Sequence, residues 1–327
     1  MIAVRIFLVL VVAWPAIAFA AGEAKRFESL DGAVDALIAG LRAGDRKALI
    51  GVLGSEGRAL VSSGDDVADR NVFRAFVAHY DRAYRLEGGG GKVVLYVGAD
   101  DFPFPIPLVP DGPRWRWDAA AGRDEILHRR IGRNELNAIQ VCLAYVDAQR
   151  DYYAEDRNGD GILEYAQRLG SGPGARDGLY WPTRSGETPS PLGTLVARAR
   201  AEGYPSTAGA GRPPAFHGYR YRILLRQGPN ARGGPYDYLV GRHLIGGFAL
   251  IAVPAEYGVS GVMTFVVNHD GVVFQKDLGA DTARAAGAIS AFDPDATWQR
   301  IDHAERLRSA APGAATGASA RPSAARP

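Results

Sequence analysis

The spacing of apolar residues changes character three times along the chain, and this order constrains the fold more than any single motif. Apolar residues recur at helical spacing from residue 30 to residue 84, and strand-like alternation follows between residues 92 and 117. Helical spacing returns from residue 122 to residue 153, with a predicted bend at Gly132, and strand-like segments return from residue 219 to residue 275. The sequence therefore predicts an α+β fold: helices plus a curved antiparallel sheet, followed by a long helix and an antiparallel β-meander.

The first helical stretch carries its own start and stop signals. Ser29 is placed to cap the first helix, Gly44 is placed to end it, and Asp45 is placed to start the next. The last apolar stripe of this stretch runs to Tyr84, and the glycines at 88–91 are predicted to end the helices.

Composition divides the chain into four segments. Arg5 precedes an apolar run, and Ala18-Phe19-Ala20 supplies the small residues of a cleavage site, which predicts a signal peptide. An uncleaved anchor is the alternative, although the run is shorter than the ~20 residues that span a bilayer. The last residues are almost only Ala, Ser, Gly, Pro and Arg, a composition typical of disorder. The predicted segments are a signal peptide at 1–20, domains at 25–123 and 124–308, and a disordered tail at 309–327.

The signal peptide predicts a periplasmic or secreted protein with no transmembrane span after cleavage. The formal charge is +2, from 38 basic and 36 acidic residues, and such near-neutrality argues against a nucleic-acid partner. A single cysteine excludes an internal disulfide framework and a Cys-cluster zinc site. Because this residue, Cys142, lies in an apolar helical run, we expect a buried and unreactive thiol.

The sharpest local motif runs from residue 156 to residue 164, just after the second helical stretch. Oxygen-bearing side chains recur there at positions one, three, five and nine of a calcium loop, and a glycine at position six permits the tight turn. Position twelve is Gln167 instead of the bidentate Glu of an EF-hand, so we expect a weak calcium site. The alternative is a metal-free turn stabilised by Asp and Asn side chains. The predicted metal-binding residues are Asp156, Asn158, Asp160, Ile162 and Glu164.

The order of short helices followed by strands in residues 25–123 resembles the nuclear transport factor 2-like, or cystatin-like, fold of many exported bacterial domains. The resemblance implies a pocket between the helices and the sheet. Strand alternation puts Trp115 and Trp117 on one sheet face. Four aromatic residues are therefore expected to line a ligand pocket, unless they fill the core instead: Tyr80, Tyr96, Trp115 and Trp117.

The second half resembles the globular part of type IV pilins and type II secretion pseudopilins. The stretches that carry this resemblance are residues 148–153, which lead into the Asp/Gly loop, residues 218–221, and residues 261–272. The resemblance implies a long helix packed on an antiparallel sheet. A pilin has an apolar helix at its mature amino terminus, whereas the helix here is internal, so polymerisation through such helices is not expected.

As a whole, the chain resembles an exported bacterial family catalogued as domain of unknown function 2950. The motifs that carry the resemblance lie at residues 102–107, 129–136, 178–182 and 255–279. They extend over most of the chain after the leader. The family implies no activity that can be assigned to individual residues.

Sequence signatures of enzymes are mostly absent. The chain has no Gly-x-Ser-x-Gly elbow, no His-Glu-x-x-His motif and no complete phosphate-binding loop, and its six histidines lack metal-ligand spacing. A site assembled by the fold could use His217 beside Tyr219, or Glu256 with Tyr257. We therefore predict no catalytic residue and no bound organic cofactor, and the sequence favours a protein that is not an enzyme.

These patterns favour an exported, non-catalytic envelope protein that acts as a binding or assembly module with a weak calcium site. Its partner would be another envelope protein or a polymer. The alternative is a periplasmic hydrolase or a small-ligand-binding protein that uses the aromatic pocket of the first domain.

Overall fold

Helices and strands follow one another in the predicted α+β order. The structure, a computed structural model, describes residues 22–205 and 214–302. The predicted signal peptide at 1–20 and the predicted tail at 309–327 lie outside these residues. Within the described ranges, no helix combines the length and the apolar character that crossing a membrane requires.

The first half packs short helices against an antiparallel sheet. The helices are α1 (Leu30–Ala43), α2 (Arg46–Leu53), α3 (Arg58–Val61) and α4 (Asp66–Arg82), with a 3₁₀ turn at Ser55–Gly57. The strands are β1 (Tyr84–Gly89), β2 (Lys92–Val97), β3 (Phe102–Pro103), β4 (Leu108–Asp111) and β5 (Arg114–Trp117). The strand order is β1-β2-β4-β5, and β3 also pairs with β2.

The predicted helix caps are confirmed. The Ser29 hydroxyl accepts a hydrogen bond from the Gly32 N–H at 3.1 Å. Gly44 ends α1 in the left-handed conformation, at a φ of 63°. Asp45 caps α2 by accepting from the Ala48 N–H at 2.9 Å. These side chains satisfy amides that the first turn of a helix leaves without an intrahelical partner.

The prediction that the helical stretch reaches Tyr84 and ends at the glycines is wrong. Helix α4 ends at Arg82, Ala83 is already extended, and Tyr84 opens strand β1. This strand pairs with β2 along its whole length. Gly90 and Gly91 make the hairpin turn at φ values of 60° and 78°, a backbone region that glycine enters at little cost.

The second half is built on one long helix and an antiparallel meander. Helix α5 (Ala119–Tyr153) runs for 35 residues and passes through Gly132 as one helix, where the sequence predicts a bend. Two shorter helices follow, α6 (Gly193–Ala201) and α7 (Thr282–Ala288). The predicted domain boundary at residue 124 lies within the first turns of α5.

The main sheet of the second half has the strand order β14-β13-β12-β11-β6. Its members are β6 (Tyr219–Leu224), β11 (Ala249–Pro254), β12 (Met263–Asn268), β13 (Val273–Asp277) and β14 (Gln299–Arg300). Two small hairpins flank it, formed by β7 (Arg226–Gln227) with β8 (Tyr236–Asp237) and by β9 (Leu239–Val240) with β10 (His243–Leu244). The predicted meander is therefore confirmed.

Two hydrophobic cores form, and α5 contributes to both. Ala119 and Leu127, near the start of the helix, are buried in the first core. Buried residues from Ala138 to Tyr152 belong to the second core. The helix thus carries the chain from one core to the other.

The buried carboxylate of Asp65 links the two halves. One of its oxygens accepts from the Val67 and Ala68 N–H groups at 3.2 and 3.0 Å, which caps α4. The other accepts from the Tyr204 hydroxyl and from the Gly218 N–H, each at 2.9 Å. Only 2% of Asp65 is exposed, so these four donors would lose their partner if the carboxylate were removed.

We expect Asp65→Ala to lower the free energy of unfolding by about 3 kcal/mol, because it leaves several buried donors without an acceptor. Asp45→Ala is the matched control, since it removes an exposed cap and should cost about 1 kcal/mol. Urea unfolding of the two variants measures the difference. Equal losses would show that the bonds to Tyr204 and Gly218 contribute no stability.

Candidate functional site

The loop after α5 is shaped by hydrogen bonds to the carboxylate of Asp156. This carboxylate accepts from the N–H groups of Gly161 at 2.8 Å, Gly159 at 2.7 Å and Asp160 at 3.3 Å. These bonds, the one from Gly161 foremost, lower the pKa of Asp156 below its usual value. Gly159 and Gly161 both have positive φ, as a turn this tight requires.

Three side chains converge beside this loop: Asp160, Glu164 and His243. Each offers one atom that could bind a metal, and these atoms all lie within 4.8 Å of one another. The Nδ1 atom of His243 is 3.2 Å from a Glu164 carboxylate oxygen and 3.6 Å from an Asp160 carboxylate oxygen. Glu164 is buried, His243 is half-buried and Asp160 is exposed, so the group is open on one side. We call these three residues the carboxylate–histidine cluster.

Hydrogen bonds hold the Glu164 side chain in the cluster. The Asn158 amide donates to one Glu164 oxygen at 2.7 Å, and the Leu244 N–H donates to the other at 3.3 Å. The same Asn158 amide donates to Asp160 at 2.9 Å. A rotation of this amide by half a turn would present its oxygen in place of its nitrogen, so Asn158 can serve either the metal-free or the metal-bound cluster.

Hydrogen bonds made by the next two residues, Tyr165 and Ala166, set the position of Glu164. On one side, the fully buried Gln149 of α5 accepts from the Ala166 N–H and donates to the Ala166 carbonyl, each at 2.8 Å. On the other side, the Tyr165 N–H donates to the Leu244 carbonyl at 2.8 Å. The segment therefore lies between α5 and β10, and β10 carries the imidazole of the cluster.

The donor set of the cluster favours a divalent cation. Two carboxylates at this distance repel each other, and a cation between them relieves the repulsion. Two carboxylate oxygens and one imidazole nitrogen suit ions that bind both nitrogen and oxygen, such as Zn²⁺ and Mn²⁺. Ca²⁺ prefers oxygen ligands alone. The imidazole nitrogen is a donor that the sequence analysis did not identify.

Of the five residues predicted to bind metal, Asn158, Asp160 and Glu164 come together. Asp156 directs its carboxylate to the amides of its own loop and is not part of the cluster. Ile162 donates its N–H to Asp160 at 2.9 Å, and its side chain is exposed. These two residues shape the loop that presents Asp160.

The tryptophans predicted to line a pocket in the first half pack in its core, as Trp117 does, or against it, as the half-buried Trp115 does. Trp117 is fully buried in the first core and donates its Nε1–H to the Ala33 carbonyl at 3.1 Å. Phe104 packs edge-on against it, with ring centres 5.7 Å apart. Trp115 lies on the same sheet face, and its backbone pairs with that of Phe27.

The two predicted pocket tyrosines differ from each other: Tyr80 packs against the first core, whereas Tyr96 does not belong to it. Tyr96 is on the sheet face opposite to the buried Leu95, and the Arg85 guanidinium covers its ring at 3.9 Å from the ring centre. Tyr80 stacks on Tyr84 with ring centres 4.4 Å apart, and burial raises the pKa of Tyr80 to about 12. Tyr96 therefore lies apart from the other three aromatic residues, which pack in or against the first core.

His217 and Tyr219, offered by the sequence for a fold-assembled site, have different partners. His217 has its Nε2 atom 3.4 Å from a Glu202 oxygen and its Nδ1 atom 3.2 Å from the Asn137 amide nitrogen. Tyr219 is fully buried and donates to the Met263 carbonyl at 2.9 Å. Burial also lowers the pKa of His217, which keeps the imidazole neutral near pH 7.

Glu256 and Tyr257 lie in the turn after β11. The Glu256 N–H donates to the Ser260 hydroxyl at 2.9 Å, which holds the turn closed. The Tyr257 hydroxyl donates to a carboxylate oxygen of Asp277, on β13, at 3.2 Å. These bonds give both residues a structural role in stabilising the turn.

A cavity of about 590 Å³ lies in the second half, and no residue of the cluster lines it. Its walls come from α5, α6, β6, β11 and the loop over residues 169–182. Cavities of about 300 to 1,000 Å³ are typical of small-molecule sites. The predicted aromatic pocket residues of the first half do not line it.

The fold and the cluster define a class of α+β protein in which one long helix joins two cores and leads into a carboxylate–histidine cluster. The model of a family described as a protein of unknown function (DUF2950) matches residues 24–301. The chain belongs to this family, as the sequence resemblance predicts. No curated protein and no solved structure gave a significant match.

Cys142 lies in the second core with none of its surface exposed, and burial raises the pKa of its thiol to about 12. Because the thiolate is the reactive form, we expect the folded protein to resist iodoacetamide at about pH 8. The same thiol should react fully once urea unfolds the chain. Intact-mass spectrometry measures both states, and stoichiometric labelling without urea would contradict this expectation.

Proposed function

We propose that the protein is an exported, non-catalytic envelope protein, a binding or assembly module whose second half is organised by a divalent cation at the carboxylate–histidine cluster. The observation that carries the proposal is the convergence of Asp160, Glu164 and His243 within 4.8 Å. The cation would join the loop after α5 to β10, two parts of the chain that are distant in sequence. Its role would be structural: it would fix the end of α5 against the strands beside it.

Electrostatics supports a cation at this position. Glu164 is only 8% exposed, and a buried carboxylate needs compensating charge or several hydrogen bonds. The bonds from Asn158 and Leu244, together with the 3.2 Å contact to Nδ1 of His243, supply part of this compensation. A cation would supply the rest and would neutralise Asp160 as well. Calcium is the alternative occupant, bound by the oxygens of the loop without His243.

Other features support the envelope setting and the assembly role. The apolar run and cleavage triplet within residues 1–20 support export. The packing of α5 on β11, β12 and β13 supports the likeness to the globular part of pilins. The helices packed on an antiparallel sheet in the first half support the nuclear transport factor 2-like interpretation. The partner we propose is another envelope protein or a polymer.

Export can be tested by fractionating a bacterial host that has a periplasm. We expect the protein in the periplasm or the medium, with a mature chain that begins at Ala21, because cleavage after Ala20 fits the small-residue triplet. Deleting residues 2–20 should keep the protein in the cytoplasm. A membrane-bound product that retains its leader would favour the anchor and contradict cleavage.

The cation site can be tested by thermal melting of metal-free protein. We expect saturating Zn²⁺ or Mn²⁺ to raise the melting temperature by about 5 °C, since a ligand at a hundred times its Kd stabilises the folded state by about 2.7 kcal/mol. His243→Gln should abolish the shift because it removes the nitrogen donor. The matched control is His128→Gln, an exposed histidine of α5, which should leave the shift unchanged.

A parallel Ca²⁺ titration separates the two occupants. A Ca²⁺ shift that persists in His243→Gln and disappears in Asp160→Asn would assign the site to loop oxygens. No shift with Zn²⁺, Mn²⁺ or Ca²⁺ would contradict the cation proposal altogether.

A further inference from the structure

The cavity of the second half is lined mainly by apolar and aromatic side chains. Those that define its walls include Val141, Tyr145, Leu195, Phe216, Tyr221 and Leu250. A surface of this kind gains free energy when an apolar ligand displaces water from it. Its lining shares no residue with the carboxylate–histidine cluster, so a ligand in the cavity would not depend on the proposed cation.

The composition of the segment that adjoins the cavity in sequence favours an occupant that is not part of this chain. Pro205 and Pro214 both line the cavity, at the two ends of the stretch that the structure leaves undescribed. Residues 206–213 read Ser-Thr-Ala-Gly-Ala-Gly-Arg-Pro and include no aromatic or large aliphatic side chain. Such a stretch lacks the apolar side chains that an aromatic cavity of about 590 Å³ would bury.

The cavity also has polar groups that could orient a ligand. Among the described residues, the hydroxyl of Tyr221 has a single hydrogen bond, a long 3.5 Å contact to the Phe216 carbonyl. Burial raises the pKa of Tyr221 well above its usual value, so the hydroxyl stays a neutral donor. A neutral donor with one weak partner can bind an oxygen of a ligand.

Arg200 supplies a positive charge to the lining. Its guanidinium lies over the ring of Tyr180, 5.4 Å from the ring centre, which limits its freedom. Within the ranges that the structure covers, no carboxylate lies within 4.0 Å of Arg200, so its charge is available to an anionic group.

We infer that this cavity binds a small amphipathic anion, whose apolar body fills the aromatic space and whose acidic group lies against Arg200. A free fatty acid and a single-chain lipid phosphate share this chemistry. Uncharged apolar molecules of the same length would bind more weakly because they leave Arg200 without a counterion.

Displacement of the fluorescent anion 1-anilinonaphthalene-8-sulfonate from the purified full chain tests this inference. We expect one probe per chain, displaced by dodecanoate and by dodecyl phosphate at concentrations about tenfold lower than by dodecanol. The ratio between the two anions distinguishes a carboxylate ligand from a phosphate ligand. Repeating the titration with EDTA separates this site from the proposed cation, because chelation should leave probe binding unchanged.

Two substitutions on α6 locate the site. Ala199 lines the cavity, whereas Ala197 on the same helix is exposed and does not. We expect Ala199→Trp to weaken probe binding at least about tenfold by filling the space, and Ala197→Trp to leave it within about twofold. Circular dichroism and thermal melting verify that both variants are folded.

Arg200→Gln tests the charge without touching the core, because Arg200 is exposed. It should remove the preference for dodecanoate over dodecanol while dodecanol binding stays the same. The inference is overturned if the wild-type chain does not bind the probe, if Arg200→Gln keeps the preference, or if folded Ala199→Trp binds as well as Ala197→Trp.

Discussion

The continuous helix α5 is the constraint on which both halves of the molecule depend. Ala119 and Leu127 complete the first core, and residues from Ala138 onwards complete the second. Because an α-helix rises about 1.5 Å per residue along a fixed direction, the packing of one core determines where the other begins. The Asp65 carboxylate forms a second link between the two halves, because it caps α4 and also accepts hydrogen bonds from Tyr204 and Gly218 of the second half.

The candidate site depends on the last turns of the same helix. Gln149 is fully buried in an apolar core, and it satisfies both backbone groups of Ala166 as a neighbouring strand would. Gln149 thereby fixes the backbone at Ala166, two residues beyond Glu164. The bond from the Tyr165 N–H to the Leu244 carbonyl then joins this segment to β10. The carboxylate–histidine cluster is therefore a product of tertiary packing, and the Asp156 turn supplies only its loop side.

Cap signals in the sequence predict helix starts well here, whereas the end of α4 and the contacts between distant segments are predicted poorly. The predictions that Ser29 and Asp45 cap helices are confirmed, because a cap depends only on residues within one helical turn. His243 has no local mark of a ligand, since it meets Glu164 across 79 residues through the β9–β10 hairpin. Trp117 lies on the predicted sheet face. The alternation of residues along a strand does not show whether that face borders a pocket or a helix, and here Trp117 contacts Ala33 of α1.

The central claim is that a cation joins the loop after α5 to β10. The most direct measurement is a crystal structure of the protein grown with Mn²⁺, with an anomalous difference map recorded for manganese. The account predicts a peak bounded by the carboxylates of Asp160 and Glu164 and by Nδ1 of His243, with the Asn158 oxygen turned towards it. A map without a peak at saturating Mn²⁺, or with a peak beside Asp156 and remote from His243, would contradict it.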